Sequence, residues 1–224
     1  PDHLKLDKEI EKILEKKNIP FKFFKGNVLN EYQSITKNDG TPFKVFSPFW
    51  RNAEQVFLDA VPQKTSEIKK LKSKKTIFNS KDTFKQIMPK KDWFKKFDQY
   101  WKPSEDEAHK NLKEFISNRI SKYGVDRDYP SINGSSKLSP YIRNGQIHVA
   151  AIYEKSSKDI KKNISIRKYI NELGWREFSH SLINYFPQML KGNLRKEFDR
   201  FPWEKNSKNL KAWKQGMTGY PIVD

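Results

Sequence analysis

Apolar residues recur at three- and four-residue spacing behind Ser104 and again over 164–185, and this periodicity gives residues 104–224 a mainly α reading. Ser104 followed by Glu107 has the spacing of a capping box, and Ala108, Leu112, Phe115, Ile116 and Ile120 mark one apolar face behind it. Ser139-Pro140 is a second start signal, with proline in the first turn. A third helix is predicted over 164–185, turning Ile166, Ile170, Leu173 and Leu182 inward. Gly216, Gly219 and Pro221 then interrupt the chain.

The earlier part reads differently. Leu6, Ile10, Ile13 and Leu14 predict a helix over 4–17, and the run Phe21 to Phe24 predicts a buried strand. A helix leading into a strand suggests the tail of an α/β domain. A turn cluster at Asn38 to Pro42 precedes the aromatic stretch Phe43 to Arg51, which leads into a helix through Leu58. From Pro62 to Pro103 the pattern is irregular and rich in Lys, Ser and Pro, as in a connector, with Trp93, Phe94 and Trp101 pinning it down. The expected organisation is an α/β remnant over 1–60, a connector over 61–103 and a helical domain over 104–224.

Composition narrows the functional classes. The 45 Lys and Arg against 27 Asp and Glu give a net charge of +18, a field that attracts polyanions, nucleic acid first and anionic membrane second. A basic surface without such a partner stays open on charge alone. Aromatics at 14% argue for a folded chain. The absence of cysteine excludes disulfides, thiolate metal sites and cysteine nucleophiles. No apolar run approaches the roughly 20 residues of a membrane span, and no secretory signal is recognisable, so a cytoplasmic protein is expected. His3, His109, His148 and His180 lack zinc-type spacing, and no metal site is expected. No Ser/His/Asp order, P-loop or dinucleotide glycine motif supports hydrolase or kinase chemistry.

Two segments could carry chemistry. Between Asp126 and Pro140, hydroxyls, Lys137 and Gly134 sit just before a helix start, where unpaired N–H groups and the dipole favour phosphate. The same residues suit an ordinary capped loop. From Asn171 to Ser179, the residues Glu172, Trp175, Arg176 and Ser179 share one helical face, which suits a planar polar ligand. A surface Glu–Arg pair beside a half-buried Trp is the plainer alternative.

Gly134-Ser-Ser-Lys-Leu-Ser-Pro140 resembles the flavin-phosphate loop G-T-S-R-L-S-P of the cryptochrome/photolyase family, and Asn171-Glu-Leu-Gly-Trp-Arg-Glu-Phe178 resembles its E-L-x-W-R-E-F helix. Glu197 to Trp203, Ala212 to Asp224 and Gly40 to Phe49 are similar to three further family stretches, in the family's order. The resemblance is to DNA photolyases of the class I, cyclobutane pyrimidine dimer type. It implies that 1–60 is the end of the α/β antenna domain and 104–224 the first half of a helical FAD-binding domain. It implies FAD held by Tyr123 and, around the phosphates, by Ser135, Ser136, Lys137, Leu138 and Ser139, with Tyr169 and Arg176 bordering the flavin. Arg127 would meet a DNA phosphate, and Glu172 and Trp175 would grip a flipped-out pyrimidine dimer during light-driven electron transfer. The implied partner is damaged DNA, engaged by a monomer.

Lys137 departs from the usual arginine, Tyr169 from Trp or Gln, and Ser179 from Tyr. Family chains run to more than twice this length, so the tryptophan electron relay and much of the pocket would lie elsewhere, and the chain alone would hold FAD weakly or not at all. An antenna chromophore of folate or deazaflavin type would belong to the longer protein. A cryptochrome photoreceptor, the (6-4) photolyase branch and a cofactor-free basic DNA-binding module are the rival readings.

Overall fold

The computed structural model describes residues 2–22, 26, 28–57, 88 and 91–224, and forms two compact units, Pro1–Ser181 and Leu182–Asp224. Regular structure among the described residues is helical throughout. Phe21 and Lys22 have no regular structure, while Phe23 and Phe24 of the expected strand lie outside the described residues, as does most of the expected connector over 61–103. No helix among the described residues is long and apolar enough to cross a membrane.

Helix α1 spans Asp2–Lys16 and α2 spans Phe46–Phe57. A 3-10 segment, Asp92–Gln99, precedes α3, Glu105–Asn118. Within that segment Trp93 is largely exposed, and only Phe94 and, just beyond, Trp101 are partly covered. The Ser104 hydroxyl accepts from Glu107 N–H at 3.1 Å, and Glu105, Asp106 and Glu107 crowd the first turn, where the helix dipole favours acid. Only half of the capping box forms, because the Ser104 N–H donates to Lys102 O instead. Ala108, Leu112 and Phe115 point into the core, as spaced, and Ile120 follows them in a 3-10 turn.

Short helices follow: α4, Tyr123–Asp126; α5, Ser139–Arg143; and α6, Val149–Ser156. His148 starts α6 by accepting from Ala150 N–H at Nδ1, 3.1 Å away. That bond leaves the ring proton on Nε2, which donates to Gly26 O at 2.7 Å and ties the early chain to this helix.

Helix α7, Ile164–Tyr185, is the longest element of the described chain at 22 residues. Asn163 caps it, its side-chain oxygen accepting from Ser165 N–H at 2.7 Å. Ile166, Tyr169, Ile170, Leu173, Gly174, Glu177 and Phe178 form its buried face, the i, i+3, i+4 stripe of an amphipathic helix. Leu182, expected inward, is only half-buried. Each fully buried large side chain such as Ile170 or Phe115 contributes about 1.5–3 kcal/mol.

The second unit contains two 3-10 turns, Pro187–Leu190 and Lys196–Arg200, and helix α8, Ser207–Gln215. Gly216 closes α8 in the left-handed conformation at φ 63°. Beyond it the Asp224 carboxylate accepts from Thr218 N–H and Gly219 N–H, both at 2.8 Å, and closes the last turn.

Candidate functional site

A cleft of about 580 Å³ separates α7 from the loop that leads into α5. Ser135, Ser136, Lys137 and Ser139 line it from the loop, and Tyr169, Glu172 and Arg176 line it from α7, with Tyr123 beside them. Residues dispersed over more than fifty positions of sequence thus face one space. Leu138 does not line the cleft: it is buried at 1% exposure, anchors the loop, and its carbonyl accepts from Ile142 N–H at 2.9 Å.

The loop owes its path to two backbone features. A Cβ on residue 134 would sit 2.6 Å from the Asp126 backbone, so only glycine fits where the loop crosses the end of α4. Lys137 adopts φ 54°, in the left-handed region, and Leu138 returns to the right-handed region at φ −89°, ψ −10°. Such a change of hand lets successive N–H groups converge into an anion-receptive nest. Among the described residues the N–H groups of 135–138 donate to no acceptor. Helix α5 has only five residues, so its dipole is slight, and the loop amides carry more of the electropositive character than the helix start expected from the sequence.

On the α7 side Tyr169, Phe115 and Tyr123 form an aromatic cluster, with Phe115–Tyr169 centroids 4.7 Å apart and Tyr123–Tyr169 centroids 5.1 Å apart. Burial pushes the Tyr169 phenol up to about 12, with the neighbouring Ser136 side chain pulling against that shift, so Tyr169 is neutral near pH 7. Burial likewise raises Tyr123, opposed by the positive charge of Arg127, whose guanidinium lies 5.4 Å from the Tyr123 ring centroid. Arg127 Nη1 donates to Glu172 Oε1 at the rim. It also lines a neighbouring recess of about 420 Å³ that shares Ser135 and Lys137 with the main cleft. Trp175 is outside the cleft lining. It stands 46% exposed, one turn of α7 beyond Glu172, with its indole stacked on Phe46.

Several residues of the site are not singled out by the sequence pattern. Gly174 has its missing side chain replaced by Trp50: a Cβ there would lie 2.6 Å from the indole Cδ2. Trp50 Nε1–H donates to Asn171 Oδ1 at 3.1 Å, so α2 docks directly on α7. Glu177, next to Arg176, is 4% exposed and accepts from Leu29 N–H at 2.7 Å and from Arg176 at 2.8 Å. Burial pushes its carboxyl up to about 7 against both of those bonds. His180 lines the cleft about two turns of α7 beyond Glu172, and burial, with Arg176 adding to it, lowers its pKa. A histidine four residues after an arginine on a proposed ligand face was the available signal for it.

Comparison with known proteins places these residues in a family. A family model described as DNA photolyase matches residues 1–69, and one described as the FAD-binding domain of DNA photolyase matches residues 169–224. The chain is 32% identical over 230 residues to a deoxyribodipyrimidine photo-lyase of Agrobacterium fabrum, a match covering 100% of this chain and 47% of the relative. A deoxyribodipyrimidine photo-lyase of Alkalihalophilus pseudofirmus is 31% identical over 231 residues, covering 97% and 45%. Among solved structures, a class III photolyase from Agrobacterium tumefaciens superposes with a TM-score of 0.78 at 28% identity, covering 100% of this chain and 47% of that one. A Synechocystis cryptochrome superposes with a TM-score of 0.73 at 20% identity over the same shares, a likeness of fold alone. The chain spans about half the length of these relatives. The class I assignment expected from the sequence is not carried by these matches, whereas the wider family is. By both family matches and by similarity along its whole length, the chain belongs to the DNA photolyase family.

Proposed function

We propose that the protein carrying this chain repairs cyclobutane pyrimidine dimers in DNA by light-driven electron transfer, with reduced FAD as its cofactor. The convergence of Ser135, Ser136, Lys137, Tyr169 and Arg176 on one cleft, with Glu172 at its rim, is the observation that carries this reading. Its volume of about 580 Å³ lies within the range of roughly 300–1,000 Å³ usual for cofactor pockets. The residues suit the group: amides without acceptors, a left-handed Lys137 and flanking hydroxyls are what a phosphate-binding loop needs. When bound, reduced FAD supplies on illumination the electron that opens the dimer's cyclobutane ring.

The chain's own residues then have separate tasks. The loop 135–139 would hold the phosphates, Leu138 by fixing the backbone rather than by touching the ligand. Tyr123, Tyr169 and Arg176 would border the ring system, and Glu177 would hold Arg176 in place. Glu172 accepts hydrogen bonds as a carboxylate and would read the pyrimidine edge, while the exposed indole of Trp175 would stack on the extruded base. Arg127 would meet a DNA phosphate from its place beside Glu172. The +18 charge supports backbone binding that weakens with salt.

In the same reading, residues 1–60 are the end of an α/β antenna domain, 61–103 the connector and 104–224 the first half of the FAD-binding domain, in a cytoplasmic monomer acting on damaged DNA. The test is illumination of the full gene product with duplex DNA carrying thymine dimers, in wild type, Glu172→Ala and Trp175→Ala. Light-dependent dimer loss that falls in both variants, with flavin absorbance retained, is expected. Flavin retained without repair would mark a photoreceptor instead, and absence of flavin would leave only a basic DNA-binding module.

A further inference from the structure

Helix α2 belongs to the segment matched by the photolyase-domain model at residues 1–69, yet one of its side chains reaches the proposed dimer-facing surface. Phe46, Phe49, Trp50 and Ala53 follow one another at helical spacing, and Phe49, Trp50 and Ala53 are buried. Phe46 is only half-buried, because the face it covers is the indole of Trp175. The two rings lie 3.8 Å apart between centroids and 10° from parallel. Trp50 lies nearly parallel to Phe46 as well, 6.4 Å away at 11°. Phe178 braces the edges, 6.0 Å from Phe46 and 5.9 Å from Trp175, inclined to both.

The stack is itself immobilised. Trp50 is held by its hydrogen bond to Asn171 and by the close approach that Gly174 allows. Trp175 is therefore gripped on one face by Phe46 and along one edge by Phe178, while remaining 46% exposed. A surface tryptophan without such backing would sample several rotamers, and binding a base would have to freeze them. With the backing, the plane of the exposed indole is set before any ligand arrives.

We propose that Phe46 is a positioning residue that fixes the plane of Trp175 for stacking on an extruded pyrimidine dimer. The proposal rests on the dimer-repair reading of the site. It makes α2 a contributor to lesion recognition without contact between Phe46 and DNA. The ring, rather than apolar bulk alone, is the operative feature, since a flat partner restricts the indole's tilt and a branched aliphatic one does not.

The experiment uses the flavin-loaded full gene product and two duplexes, one with a single cyclobutane thymine dimer and one undamaged. Affinities for both are measured in wild type, Phe46→Leu, Phe46→Tyr, Trp175→Ala and the double variant Phe46→Leu/Trp175→Ala. Phe46→Leu is expected to reduce discrimination for the dimer about threefold to tenfold, the scale of freezing one side chain, with flavin content and undamaged-duplex affinity unchanged. Phe46→Tyr is expected to restore discrimination, and Phe46→Leu to add nothing once Trp175 is Ala. Near-ultraviolet circular dichroism should lose its aromatic stacking band in Phe46→Leu and keep it in Phe46→Tyr. Wild-type discrimination in Phe46→Leu, or an equal loss in the Trp175→Ala background, would overturn the proposal. Full discrimination in Trp175→Ala would instead bring down the dimer-repair reading of Trp175, and the role of Phe46 with it.

Discussion

Arg127 and Glu172, both expected from the sequence to meet DNA, are hydrogen-bonded to each other at the rim of the cleft. Asp128 adds a second carboxylate 3.4 Å from Arg127 Nε, so the guanidinium charge is largely matched before any phosphate arrives. Arg127→Gln should therefore change the salt slope of binding to undamaged DNA by less than about one. It should nonetheless lower discrimination for a dimer about threefold to tenfold, because Glu172 loses the partner that orients it. Affinities measured over a salt series for damaged and undamaged duplexes test both statements.

Gly174→Ala would ordinarily strengthen a helix by about 1 kcal/mol. Here the added methyl would lie 2.6 Å from the Trp50 ring, so α2 and α7 must separate. A net loss of about 1–3 kcal/mol is expected in urea unfolding, together with a shift in tryptophan fluorescence.

Lys137 holds a conformation with φ 54° that costs a side-chain-bearing residue of order 1 kcal/mol. Lys137→Gly relieves that strain while gaining unfolded-chain entropy, and stability should stay within about 1 kcal/mol of wild type. Flavin affinity should fall about tenfold through loss of the charge, as equilibrium titration of the full gene product would show. Lys137→Val, β-branched at the same position, should destabilise the fold more than either.

Burial raises the Glu177 carboxyl from its ordinary 4.5 to about 7, so folding takes up a proton between those values. The stability contributed by the protonated group is complete below pH 4.5 and is lost as the pH rises through about 7. Glu177→Gln removes this dependence. Relative to wild type, the variant should gain on the order of 2–3 kcal/mol between pH about 5 and about 8, read as the difference between two urea series.

The helical face of residues 104–185 was legible because it follows from local periodicity: Ala108, Leu112, Phe115, Ile166, Ile170 and Leu173 are all buried as their spacing requires. The cleft was legible through motif resemblance, and residues as distant as Tyr123 and Arg176 do line it together. What was hidden depends on long-range packing. The Phe46–Trp175 stack joins residues 129 positions apart, and Leu29 N–H meets Glu177 across 148. No local pattern encodes such pairs. Glu177 in particular carries the signature of a surface residue, and only the surrounding chain makes it a buried one. The expected strand at Phe21 to Phe24 rested on a short apolar run, a weak basis because such runs serve buried helices, strands and loops alike.

Tyr169, Glu172 and Arg176 all project from one unbroken stretch of α7, so their mutual spacing is set by the helix repeat and by nothing in the surrounding loops. The helix acts as a ruler: about 1.5 Å of advance and about 100° of turn per residue decide which groups look into the cleft. One residue inserted between Tyr169 and Glu172 would swing every later group by about 100° and send Glu172 and Arg176 away from the space they share with Tyr169. Substitutions can adjust this face piece by piece. A change of length within it would dismantle the arrangement while leaving each of its side chains present.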